Sequence, residues 1–164
     1  MTIIRHWPAE WEEQSAVMLA WPDTQTDWTE NLNDVQTVYI DLIKQILKRE
    51  PVLLVVRNHN IKTQVTRLLQ KYPANHAINI VLSPYNDTWA RDFGPISILR
   101  NNEPALVDFQ FNGWGNKFIS LDDNKITNML HKQDIFRVNI EESSLILEGG
   151  SIESDRNGTL LTTE

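Results

Sequence analysis

The period of the apolar positions changes several times along this chain, and each change marks an element. Ser15–Trp21 (SAVMLAW) is a short apolar run stopped by Pro22, the pattern of a buried strand. Asp23–Asn33 is polar with one tryptophan and reads as a loop. Val35, Val38, Tyr39, Leu42, Ile43, Ile46 and Leu47 then recur at helical spacing, with Asn31 or Asn33 as candidate cap and Pro51 barring continuation. Pro51–Val56 (PVLLVV) is a strand apolar on both faces. Ile61, Val65, Leu68 and Leu69 predict a second helix ending near Pro73, and Ala77–Leu82 (AINIVL) another strand.

The second half reads differently. Pro95–Leu99 and Ala105–Phe111 flank the turn-like NNEP and predict a hairpin. A weak helical segment at Asp123–His131 leads to a strand at Ile135–Ile140, then short strands at Leu145–Glu148, Ile152–Ser154 and Thr159–Thr163. Strand, strand, helix, strand from Pro95 to Ile140 is not a plain βαβ alternation, which disfavours a Rossmann sheet. The chain stops on GTLLTTE, an apolar strand with nothing after it. That predicts the N-terminal part of something longer; a terminal strand closing a complete domain is the alternative.

Length and composition narrow the class. With 164 residues, 41% apolar and 23% charged, the chain can bury a core and is not disordered. A net charge of −7 with no Lys/Arg run argues against a nucleic-acid partner and suits a small cationic substrate better. The N-terminus lacks the apolar run of a signal peptide and no stretch has the length of a membrane helix, so a cytoplasmic protein with no membrane partner is expected. The absence of cysteine excludes disulfides, zinc-thiolate sites and a thiol nucleophile within these residues. His6, His59, His76 and His131 show no metal-ligand spacing, and no phosphate-binding glycine motif is present, so neither metal nor cofactor is expected.

Asn86–Gly94 (NDTWARDFG) sets Asp87 and Asp92 around Trp89 and Arg91, just past a predicted strand end. Loops in that position are where layered α/β proteins usually bind ligands. Glu148 ends the apolar LILE run before two glycines, which let the backbone turn or approach a ligand. Each acid has a plainer reading: Asp92 paired with Arg91, Asp87 as an Asx-turn residue, Glu148 as a solvated strand end. Of six tryptophans, Trp89 lies between two aspartates and Trp114 between glycines in FNGWGNKF, settings that packing explains poorly. Aromatic faces beside carboxylates attract organic cations, and a guanidinium adds a planar fork that matches a carboxylate.

WPAEWEEQSAVMLAWP, NDTWARDFGP, FNGWGNKF and LEGGSIE…GTLLTTE, in this order from Trp7 to Glu164, resemble the agmatine deiminase and bacterial peptidyl-arginine deiminase family. The resemblance implies an α/β fold of the pentein type, a propeller of ββαβ modules around a pseudo-fivefold axis. Here residues 1–164 would be the N-terminal modules of one catalytic domain. It implies guanidine hydrolysis, with Asp92 gripping the guanidinium and Trp89 lying against the substrate. Glu148 would bind the same group and assist proton movement. Asp87, Trp114 and Trp21 match family positions around the pocket. The family's nucleophilic cysteine and its acid/base histidine are not in this chain, so these residues should make a half-site without turnover. Agmatine is the expected substrate, with arginine or peptidyl-arginine as alternatives. A non-catalytic guanidino- or amine-binding domain is a second reading, and a glycosidase, which also uses paired carboxylates and tryptophan platforms, a third.

Overall fold

The computed structural model describes residues 3–163, and the chain divides into two compact units. One is Gln14–Ala90; the other joins Met1–Glu13 to Arg91–Glu164.

In Gln14–Ala90, strands β2 (Val17–Ala20), β3 (Val52–Val56) and β4 (Ile78–Leu82) form a parallel sheet in that order. Helices α1 (Leu32–Ile46) and α2 (His59–Leu69) connect them. This half is two βαβ units, an alternation that the strand–strand–helix–strand pattern of the second half does not share. The central strand β3 is buried at every residue, as its all-apolar run requires. Ile43, Leu47, Val65 and Leu69 bring the helix stripes onto Val52, Leu54 and Val56. The predicted capping of α1 fails in detail: Asn31 holds the cap position but its side chain makes no capping bond, because a 3₁₀ turn at Thr29–Asn31 already leads into the helix. Asn58 does cap α2, accepting from the Ile61 amide at 3.0 Å.

The other unit contains a four-stranded sheet in the order β1-β5-β6-β7. Its strands are β1 (Arg5–His6), β5 (Ile96–Arg100), β6 (Glu103–Gln110) and β7 (Asn139–Ile146). The β5–β6 hairpin turns on Asn101 and Asn102, both with positive φ (51° and 68°), so only the NN of NNEP is turn. Helix α5 (Ile126–Lys132) then returns the chain to β7, which runs parallel to β6. This is the strand–strand–helix–strand order read from the sequence. The last strand, however, starts at Asn139 rather than Ile135, because Asp134 turns the chain at φ 58° and its carbonyl accepts from the Arg137 guanidinium. β7 also runs through the polar Glu141–Ser144 into Leu145 and Ile146, which the sequence reading assigned to a separate strand. Glu141 accounts for part of that polarity: it takes Arg5 of β1 at 2.8 Å and Arg100 of β5 at 3.3 Å. A final hairpin pairs β8 (Ile152–Ser154) with β9 (Leu160–Thr162). Glu164, in the last motif, lies outside the described residues.

Candidate functional site

The NDTWARDFG stretch passes from one unit to the other, and the expected loop ends in one helical turn, α3 (Ala90–Phe93). Phe93 anchors that turn: it is buried and packs 6.1 Å from the ring of Phe111. Asp92, one residue earlier, is half-buried. Its Oδ1 accepts from the Gly150 amide at 3.1 Å, across 58 residues of sequence. Arg91 does not pair with it in the way the plainer reading requires. Its guanidinium goes instead to Glu10 at 2.6 Å, to Glu153 at 3.7 Å and to the Ile152 carbonyl at 3.2 Å. The Asp92 carboxylate is thereby left to the Glu148–Gly149–Gly150 loop.

The two glycines of that loop are required by close approach. A Cβ on Gly149 would stand 2.2 Å from the Arg91 carbonyl oxygen, and one on Gly150 2.3 Å from Asp92 Oδ1. The backbone at Glu148 is further fixed by a 3₁₀ turn, Gly149–Ser151, in which Ser151 donates both its amide (2.9 Å) and its hydroxyl (2.7 Å) to the Glu148 carbonyl. Glu148 is half-buried. Two carboxylates far apart in sequence are thus carried on backbones that interlock through hydrogen bonding and the lack of a side chain.

Trp114 stands in an unusual backbone. Gly113, Trp114, Gly115 and Asn116 all have positive φ (66°, 55°, 75° and 63°), which makes one left-handed turn, α4 (Gly113–Asn116). A bulky residue there costs on the order of 1–2 kcal/mol. The Asn112 side chain accepts from the Gly115 amide at 2.9 Å, and Trp114 sits edge-on between Phe111 (5.0 Å) and Phe118 (5.6 Å). Such strain is found at ligand sites, where surrounding contacts hold it.

In Gln14–Ala90, Trp89 is 45% exposed and tilts against Trp28 with centroids 6.0 Å apart. Asp87 is buried and works as an acceptor inside the loop: it takes the Thr88 amide at 2.8 Å, the Trp89 indole N–H and the Asp27 amide. Burial pushes its carboxyl above the usual aspartate range, and the charge of Asp27 adds to this against the pull of those hydrogen bonds. Trp21 is in the hydrophobic core, edge-on to Tyr39 at 6.1 Å.

One constellation escaped the sequence reading. Asp23, Arg57 and Tyr85 each follow the carboxyl end of a strand of the parallel sheet, and they converge. Arg57 grips both oxygens of Asp23 (2.8 and 3.3 Å), donates to the Tyr85 carbonyl and lies 4.3 Å from the Tyr85 ring centre. The Tyr85 hydroxyl donates to the Trp21 carbonyl at 2.6 Å. Burial, with Asp23 beside it, raises the Tyr85 hydroxyl far above the ordinary phenol range. The available signal was positional: a charged or hydroxyl residue within three positions of each apolar strand's end.

The chain is thus an α/β protein whose loop-borne carboxylates lie past strand ends, Asp92 interlocked with the Glu148–Gly150 loop and Asp87 accepting from the indole of Trp89. The Porphyromonas-type peptidyl-arginine deiminase model matches residues 6–164, and the chain belongs to that family of guanidine-modifying hydrolases. It is 31% identical to the agmatine deiminase of Pseudomonas putida, over 97% of this chain and 43% of that protein. Among solved structures, the C. jejuni agmatine deiminase in a cysteine-to-serine form with substrate bound superposes with a TM-score of 0.88 at 32% identity, over 98% of this chain and 46% of that one. The agmatine deiminase of Enterococcus faecalis gives 0.78 at 27%, over 96% and 43%. The fold class is therefore the pentein-type α/β fold expected, and the chain spans under half the length of these relatives.

Proposed function

We propose that this chain carries the guanidinium-recognition part of an agmatine deiminase. The whole reaction would take agmatine and water to N-carbamoylputrescine and ammonia, a step toward putrescine. In it a thiolate attacks the guanidinium carbon, ammonia leaves, and water hydrolyses the amidino-cysteine intermediate. The 164 residues contain no cysteine, so their own share is recognition and polarisation.

The interlock of Asp92 with the Glu148–Gly149–Gly150 loop supports this reading most strongly. A guanidinium presents N–H donors on several edges of one plane, and two carboxylates take two edges while concentrating positive charge at carbon. Within Gln14–Ala90, the exposed ring of Trp89 is of the kind that attracts an organic cation, worth up to about 2 kcal/mol when desolvated. Agmatine is favoured over arginine because the relatives named above are agmatine deiminases.

Calorimetric titration of the chain with agmatine, putrescine, arginine and a chito-oligosaccharide tests the proposal. Agmatine should bind best, putrescine at least tenfold more weakly for want of the guanidinium, and no N-carbamoylputrescine should form. Equal binding of agmatine and putrescine would reduce the site to an amine-binding surface, and preferential sugar binding would make it a glycosidase relic.

A further inference from the structure

The Asp23–Arg57–Tyr85 constellation holds more polar bonding than a core needs. A buried ion pair contributes little net stability, and apolar packing of the same volume often does as well. What the arrangement does provide is a mechanical link. Arg57 stands directly after β3, the central strand, which is buried at all five residues and paired on both sides. One edge of its guanidinium grips Asp23, in the loop after β2; the other reaches the Tyr85 carbonyl, in the loop after β4. The Tyr85 hydroxyl closes the ring by returning to Trp21 at the end of β2.

Those two loops carry the tryptophan pair. Trp28 lies five residues beyond Asp23, and the Asp23 carboxylate and carbonyl order the intervening turn through the Gln25 amide (2.8 Å) and the Thr26 hydroxyl (2.8 Å). Trp89 lies four residues beyond Tyr85, with Asp87 accepting its indole N–H. Across the loops, Trp28 Nε1 donates to Thr88 Oγ1 at 2.8 Å, and the rings meet at 36°. Sliding one loop against the other would turn Trp89 relative to Trp28. Arg57 opposes that sliding at the strand end, and the Trp28–Thr88 and Tyr85–Trp21 bonds act with it.

We infer that Arg57 is a positioning residue for the substrate: by tying the Asp23 loop to the Tyr85 loop at the end of β3, it sets the angle at which Trp89 presents its ring to the guanidinium. The inference rests on the guanidine-binding reading of Trp89 given above. Arginine is needed because its planar fork serves two loops at once, whereas a lysine ammonium is a point charge on a flexible stem.

The test compares four proteins: wild type, Trp89→Phe, Arg57→Lys and the double variant. Subtracting the near-ultraviolet circular dichroism of Trp89→Phe from wild type isolates the signal of Trp89 in its fixed setting. The same subtraction in the Arg57→Lys background should lose at least half of that signal while the protein still melts cooperatively, and agmatine affinity should fall about tenfold. An unchanged Trp89 difference spectrum in folded Arg57→Lys overturns the inference, whatever the melting temperature does. So does a changed spectrum with unchanged agmatine affinity. If wild type binds no agmatine, the guanidine reading fails and this inference with it, whereas the spectral comparison still reports whether Arg57 orders Trp89. Asp23→Asn, which keeps the shape and weakens the grip, serves if Arg57→Lys does not fold: a smaller loss of the Trp89 signal is expected, and no loss overturns the inference.

Discussion

Alanine at Gly150 and alanine at Gly149 should fail in opposite ways, although they are neighbours and the same substitution. At Gly150 the new Cβ would meet Asp92 Oδ1 at 2.3 Å, the far end of a side chain, and the position is exposed. Non-bonded heavy atoms settle at roughly 3.5 Å, so the carboxylate must retreat by about 1 Å. It can do so by rotating, at a stability cost below about 1 kcal/mol, but it gives up the 3.1 Å bond from the Gly150 amide and its aim. A misplacement of about 1 Å in a positioned group costs on the order of a hundredfold, or about 2.7 kcal/mol of recognition. At Gly149 the Cβ would meet the Arg91 carbonyl oxygen at 2.2 Å, with Ile96 Cδ1 at 3.5 Å behind it. Backbone cannot rotate away. Overpacking of that kind costs about 1–3 kcal/mol, which for a chain of this size lowers Tm by roughly 3 °C per kcal/mol. Agmatine calorimetry beside a thermal melt checks both. Gly150→Ala should bind far more weakly and melt near wild type; Gly149→Ala should melt several degrees lower. If Gly150→Ala binds agmatine within twofold of wild type, or is the less stable of the two, the interlock does not aim Asp92.

Asp87 provides a pH test. Its folded pKa is raised, so its contribution to stability is complete below the unfolded value near 3.8 and is lost as pH rises through the folded value. The stability of wild type minus that of Asp87→Asn, from denaturant melts, should therefore fall over the window just above 3.8; a difference that grows with pH contradicts the burial argument. Asn58→Ala removes the acceptor of the Ile61 amide at the start of α2 and should cost about 1 kcal/mol in the same melts, with agmatine binding unchanged; a loss of binding would mean that α2 contributes to the site.

The sequence showed the elements best where one period runs unbroken. The helical stripe from Val35 to Leu47 and the all-apolar VLLVV each have one structural solution, and the structure takes it. Legibility failed where tertiary partners override local pattern. Glu141 and Glu142 look like loop residues, yet they sit in β7 because Arg5 and Arg100 arrive from distant strands to pair Glu141. The same limit applies to the site. Asp92 and Glu148 announce themselves by odd local company, a tryptophan in one case and paired glycines in the other. Arg57 is a lone cation after a strand, and only the approach of Asp23 and Tyr85 gives it meaning. The glycines after Glu148 suggested a close approach, and the structure adds what approaches: the Arg91 carbonyl and the Asp92 carboxylate.

The proposed role of Asp92, taking the guanidinium, is tested most directly by an amide NMR titration. The Gly150 amide already donates to Asp92 Oδ1, so its resonance reports any ligand that competes for that carboxylate. On adding agmatine to wild type, the Gly150 signal should move and saturate with the calorimetric affinity. In Asp92→Asn, which removes the charge and keeps the shape, the shift should vanish and affinity fall roughly a hundredfold, near the low end of what losing one partner of a desolvated charge pair costs. A Gly150 signal that stays still at saturating agmatine, or one that moves equally in Asp92→Asn, would contradict the account.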